Sequence, residues 1–236
     1  SSILVSRCAL QPCRLRLPRT SLEGSRRFGA GAMATYADVV GWYDLAWSGG
    51  SFEICFRPAG YFFCARFQAA GRWELADGIV NVDWGKFGRY ELKFDAEAKT
   101  MEGNAIPKNK ADEKNWRKAK FLRPLSVPEL ALIGDGAGSE WELEWSGGSF
   151  PVRFKADGYN HFQCDDFPAH AHWSLDGDTL RIDWGQYGNY ELTVNGEAKT
   201  MSGQAVGGNP ETDWRKAKIT RNLLNNAVVE HCEHHH

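Results

Sequence analysis

Paired carboxylates are the first residues in this chain suited to chemistry. Asp83-Trp-Gly-Lys-Phe-Gly-Arg-Tyr-Glu91 returns as Asp183-Trp-Gly-Gln-Tyr-Gly-Asn-Tyr-Glu191. Pairing the flanking segments about Phe87 would set Asp83 opposite Glu91, and Asp183 opposite Glu191, with Trp84 facing Tyr90 on the other side. Like charges that face each other destabilise a sheet unless a cation or a proton intervenes. Such a pair would hold a divalent metal or act as acid and base. The competing reading is a wet face on which Arg89, Lys118 or Arg215 neutralises them, and solvent screening favours it.

Histidines are the second group. His161, His170 and His172 occur in one half of the chain only, beside Asp165 and Asp166. His170-Ala-His172 places two imidazoles on one face of a strand, a two-ligand metal arrangement. The spacing supplies no third ligand, so surface histidines are the preferred reading. The tail His231-Cys-Glu-His-His-His236 reads as a disordered end with adventitious metal affinity. Loop aromatics are the third group. Phe87 and Tyr187 lie between glycines at turns, either exposed as sugar- and protein-binding surfaces use them or folded back to cap the open barrel end. Tyr61 and Tyr159 join them as binding candidates. A nucleophile elbow, P-loop, dinucleotide fingerprint, HExxH motif and CxxC pair do not occur. The sequence names no catalytic residue and no cofactor.

The elements that position these residues come in duplicate. Tyr43-Asp-Leu-Ala-Trp-Ser-Gly-Gly-Ser-Phe52 returns as Trp141-Glu-Leu-Glu-Trp-Ser-Gly-Gly-Ser-Phe150, and Trp116-Arg-Lys-Ala-Lys120 as Trp214-Arg-Lys-Ala-Lys218. The offset is 98 for these two segments and 100 for the Asp83 segment, so small loop changes separate two copies of one domain. The expected organisation is a basic leader over 1–38, one β repeat over 39–126, a linker helix over 127–138, a second repeat over 139–224 and the tail over 225–236. Ser126-Val-Pro-Glu129 has capping-box spacing, and Gly134 ends the linker helix.

Each repeat reads as about eight short strands. Asp77-Gly78, Asp176-Gly177 and Asn195-Gly196 carry hairpin turn chemistry. Phe52, Ile54 and Phe56 alternate with Glu53, Cys55 and Arg57, which predicts one buried face and one wet face. An antiparallel meander of that length hides its edges by closing into a small barrel; a β-sandwich is the alternative. The predicted inward set runs from Trp47 and Phe52 through Trp84 and Tyr90 to Met101. Bulky side chains of that number fill an eight-stranded interior.

A meander that opens on Trp47 or Trp145 before a Gly-Gly turn resembles the calycin-type small barrels, the avidin and lipocalin kind. That resemblance implies architecture and no ligand. Ile182-Asp-Trp-Gly-Gln-Tyr-Gly188 and Asp213-Trp-Arg-Lys-Ala217 are similar to repeat proteins of unicellular algae, a group that implies no activity.

Composition narrows the function. Ten Trp and 13% aromatic residues suit a small domain that must fill its core with few side chains. Residues 1–32 hold six Arg and one Glu, so the formal charge of −2 leaves −7 on the rest. An acidic body argues against nucleic acid. No apolar run reaches the roughly 18 residues of a transmembrane helix. The basic leader predicts a plastid or mitochondrial transit segment, or a cytoplasmic protein if translation starts at Met33. Cysteines do not repeat as pairs, which predicts free thiols. The expected function is a non-catalytic interaction or accessory subunit with a protein partner. The alternatives are a glycan or small apolar ligand, and an enzyme built on Asp183 and Glu191 near the histidines. Expressed alone, residues 127–224 should give a β-type circular dichroism spectrum and one cooperative unfolding transition; a molten or helical product would refute this domain boundary.

Overall fold

A computed structural model describes residues 34–106 and 114–225. The leader over 1–32, Met33 and the histidines of the tail lie outside the described residues. The first repeat opens with a short helix, α1 (Tyr36–Val39), then β1 (Gly41–Trp47), β2 (Gly50–Phe56), β3 (Tyr61–Phe63) and β4 (Gly71–Ala76). It continues through β5 (Ile79–Asp83), β6 (Arg89–Asp95), β7 (Thr100–Ala105) and β8 (Trp116–Arg123). The linker helix α2 spans Val127–Ile133. The second repeat holds β9 (Gly138–Trp145), β10 (Gly148–Lys155), β11 (Phe162–Gln163), β12 (His172–Asp176), β13 (Thr179–Asp183), β14 (Asn189–Asn195), β15 (Thr200–Ala205) and β16 (Trp214–Asn222).

Every pairing is antiparallel, and β1 to β8 form a closed barrel. In the second repeat β9 likewise pairs with β16, and the sheet ends on β11 and β12. Those ends meet through a bridge between His161 and His172. The meander therefore curls into a barrel in both copies, and the sandwich is excluded. No helix among the described residues is long and apolar enough to cross a membrane.

The cores are aromatic, as the alternation requires. Trp84 and Trp184 are each 3% exposed and lie 6.0 and 5.7 Å from Tyr90 and Tyr190 between ring centroids. Both indoles donate to a backbone carbonyl, of Phe67 and Phe167, at 3.1 Å. That bond explains a difference from the sequence reading. Of the short strands expected, β3 and β11 are the shortest, because the chain leaves the ladder to bring Phe67 and Phe167 over the barrel end. There each packs edge-on at 4.9 Å, Phe67 on Phe52 and Phe167 on Phe150. The void within the first barrel measures about 10 Å³, less than a small-molecule ligand needs.

The outer face of β2 departs from the wet face that alternation predicts. Cys55 and Arg57 are buried there, because the linker and the second repeat pack on them. Arg57 is 4% exposed. Its Nη1 donates to Asn160 Oδ1 at 2.9 Å and to Asp157 O at 3.2 Å, both in the second repeat. Its guanidinium sits 4.1 Å from the Phe63 ring centroid. A buried cation is costly unless oxygen atoms and ring faces replace its water. Close by, a Cβ on Gly158 would overlap Ala69 O, so the two repeats touch backbone to backbone.

The linker completes this contact. Ser126 and Glu129 form the expected capping box, and Gly134 ends α2. Glu129 also accepts from the Trp42 indole at 2.7 Å and pairs with Arg123 at 2.8 Å. Burial works to raise the Glu129 carboxyl, but these donors and the Ser126 N–H hold it below its usual range. Ala131, Leu132 and Ile133 enter the core of the second repeat. Trp184→Ala should destabilise the protein by about 3–5 kcal/mol in denaturant unfolding. A loss below about 1 kcal/mol would place the ring outside the core.

Candidate functional site

One end of each barrel carries the turns β1–β2 and β5–β6, the long loop after β3, and the loop between β7 and β8. The equivalent turns form the same end of the second barrel. The most regular arrangement found in both copies lies here. Trp47 was expected inside, yet it is 38% exposed, and its counterpart Trp145 is 37% exposed. Each ends its strand at a Ser-Gly-Gly turn and folds over the first glycine of that turn. A Cβ on Gly49 or Gly147 would come within 2.5 Å of the indole. The turn thus needs glycine to hold the ring in place.

An arginine sits between each exposed tryptophan and the core. The Arg117 guanidinium lies 5.7 Å from the Trp47 centroid and 5.1 Å from that of Tyr90. Arg215 lies 5.7 Å from Trp145 and 5.0 Å from Tyr190. Its Nη2 also donates to the Tyr190 hydroxyl at 3.4 Å. In both barrels Trp, Arg and Tyr are therefore layered at this end, and the indole stays partly exposed. Exposed hydrophobics extend this end. Trp116, Ile106 and Val206 are among them. No spacing motif marks this site. The repeated Trp-Ser-Gly-Gly and Trp-Arg-Lys-Ala phrases were its only signal, and alternation alone assigned the indole to the core.

Phe87 and Tyr187 belong to the same end. Each turns back onto the core tryptophan, 5.3 Å from Trp84 and 5.7 Å from Trp184, while keeping an exposed edge. Tyr61 and Tyr159 are buried and far from this end along the strands. Tyr61 lies under the Arg72 guanidinium at 3.5 Å.

The carboxylate pairs are not brought together. Asp83 stands opposite Arg89, 3.8 Å from its Nε, and Glu91 stands opposite Asn81. In the second repeat Asp183 faces Asn189, and Glu191 faces Arg181 and accepts from it at 2.9 Å. The turn is centred on Lys86, one residue before Phe87. The Trp84 N–H closes on Gly88 O, so the register centres on the whole turn and sets Val82 opposite Tyr90. The acid/base reading has no geometry to support it.

Among the described residues the thiols are shielded. Cys55, Cys64 and Cys164 are free and buried. Burial pushes the Cys55 thiol up to about 12, far from the thiolate that nucleophilic chemistry needs. His161, His170 and His172 are brought together at the β11–β12 seam, remote in kind from anything in the first repeat.

The fold and these ends define a tandem eight-stranded β-barrel protein. No protein-family model matches the chain, and no curated protein matches it. Trp145→Ala should cost about 1 kcal/mol or less of stability, the size of an exposed cation–π contact. A loss of about 3 kcal/mol or more would make the indole a core residue.

Proposed function

We propose that this protein is a non-catalytic accessory subunit that binds a protein partner through two equivalent barrel ends. The observation that carries this reading is the Trp–Arg–Tyr stack built twice at nearly the same spacing. A stack needed only to plug a barrel has no reason to leave its tryptophan partly exposed. Tryptophan, tyrosine and arginine are also the residues that dominate protein interfaces. A pre-positioned ring binds with little loss of side-chain freedom.

The joint between the repeats supports a bivalent reading. Two sites on one scaffold raise the effective concentration of the second contact once the first has formed. The barrel interior offers no competing site, since the first barrel is filled by its own side chains.

The test compares the full chain with Trp47→Ala, Trp145→Ala and the double variant. Partners are captured from organellar and cytosolic extracts, purified and titrated. Each single change should weaken binding at least tenfold, and the double change should abolish it in a chain that still unfolds cooperatively, a few degrees lower at most. A partner that binds the double variant as tightly as the native chain would refute the reading. Glycan binding by the isolated chain that the same two changes remove would put a glycan in place of the protein partner.

A further inference from the structure

We propose that His161, His170 and His172 form a binding site for one divalent transition-metal ion of the zinc class, with Asp157 as its positioning residue. The site belongs to the second repeat alone, and the first repeat shows what it replaced. Tyr61 pairs with Arg72 across β3 and β4, and the guanidinium stacks on the phenol ring. The corresponding bridge in the second repeat joins His161 to His172. His170 stands two residues earlier, where the first repeat has Ala70. Three differences at one seam thus give the second repeat three imidazoles where the first has none.

The ligand atoms converge. One nitrogen from each ring lies within 4.8 Å of the others, the one such trio of His, Cys, Asp or Glu among the described residues. His170 Nε2 and His172 Nε2 are 2.9 Å apart. Tetrahedral zinc with ligands at about 2.0–2.1 Å holds neighbouring nitrogens about 3.3 Å apart. A few tenths of an ångström separate the observed pair from that geometry.

The far sides of two rings are oriented as metal sites require. His161 Nδ1 meets Asp157 Oδ2 at 2.5 Å. His172 Nδ1 meets the Tyr159 carbonyl at 3.0 Å, and a carbonyl only accepts. Nδ1 of His172 therefore carries the proton, which leaves the lone pair on Nε2, the atom that faces His170. The carboxylate does the same for His161. A carboxylate or carbonyl behind a ligating histidine fixes its tautomer and its ring plane.

Asp157 is itself held in place. Its Oδ1 accepts from the backbone N–H groups of Tyr159 at 3.0 Å and His161 at 3.2 Å. Its own carbonyl accepts from the buried Arg57 of the first repeat. The turn that carries Asp157, Tyr159 and His161 is two residues longer than its counterpart between Phe56 and Phe62. The insertion supplies the groups that orient the ligands. Imidazole nitrogen suits zinc, copper and nickel. Three protein ligands leave a fourth position for water or for a group from a partner. An ion here would join His161 on one side of the seam to His170 and His172 on the other.

The experiment uses the full chain with His231, His234, His235 and His236 changed to alanine, which removes the tail as a competing ligand. Zn²⁺ alone is titrated by calorimetry, and Co²⁺ absorption reports coordination. We expect one ion per chain with submicromolar affinity and a Co²⁺ band of four-coordinate intensity. His161→Gln, His170→Gln and His172→Gln should each weaken binding at least tenfold. Asp157→Asn should weaken it about 10–100-fold while keeping one ion per chain. Thermal unfolding without metal identifies any variant that fails to fold, and His170, which is exposed, is the change least able to do so. Affinity weaker than about 10 μM, or undiminished affinity in a folded His170→Gln chain, would overturn the site.

Discussion

Hydrogen bonds between the first and last strands of each meander hold this protein together. β1 pairs with β8 and β9 with β16, joining segments some 75 residues apart in the chain. An open eight-stranded sheet would expose two edges and a face of indole and phenyl rings. Closure removes both liabilities at once. The tight turns place neighbouring strands, but only closure surrounds Trp84 and Trp184 with rings on all sides. The loops then bend inward because the buried indole N–H needs an acceptor, and Phe67 and Phe167 supply their carbonyls. Aromatic rings and an arginine cover one end, while Val39 of α1 enters the first core and Ala131, Leu132 and Ile133 of α2 enter the second.

Duplication alone would give two barrels on a string. Arg57 prevents that by carrying its charge out of the first barrel and into the second. Among the described residues the charge sits between amide and carbonyl oxygens and a phenyl face, with no carboxylate bonded to it. Removing those oxygens would leave a buried cation with no water, which is why such contacts resist change. Glu129 strengthens the joint by capping the linker helix while holding Trp42 and Arg123 of the first repeat. One side chain thus serves local helix formation and long-range packing together.

The two copies agree where closure and core packing constrain them, and differ at the β3–β4 and β11–β12 seam. The first repeat fills that seam with a ring and a guanidinium, the second with imidazoles. Strand pairing is shortest there. The barrel ends, by contrast, keep Trp47 and Trp145 alike in setting and exposure.

Short of choosing barrel over sandwich, the sequence by itself determined the duplication, the antiparallel strands and the capped linker helix. Each of these rests on local information: turn residues, period-two alternation and a capping box at Ser126 and Glu129. It also determined that Trp84 and Trp184 are core, since their parity matches that of Tyr90 and Tyr190. Tertiary structure decided the rest. The register of the Trp84–Gly88 turn separates Asp83 from Glu91, because a turn closed by its own hydrogen bond shifts the pairing that symmetry suggests. Alternation marked Arg57 as wet and Trp47 as buried. Packing reversed both, because alternation reports which side of a strand a residue is on and not what lies beyond it. His161 was one of three separate histidines until the seam closed, since the pairing that sets it against His172 spans a loop whose path no spacing rule encodes.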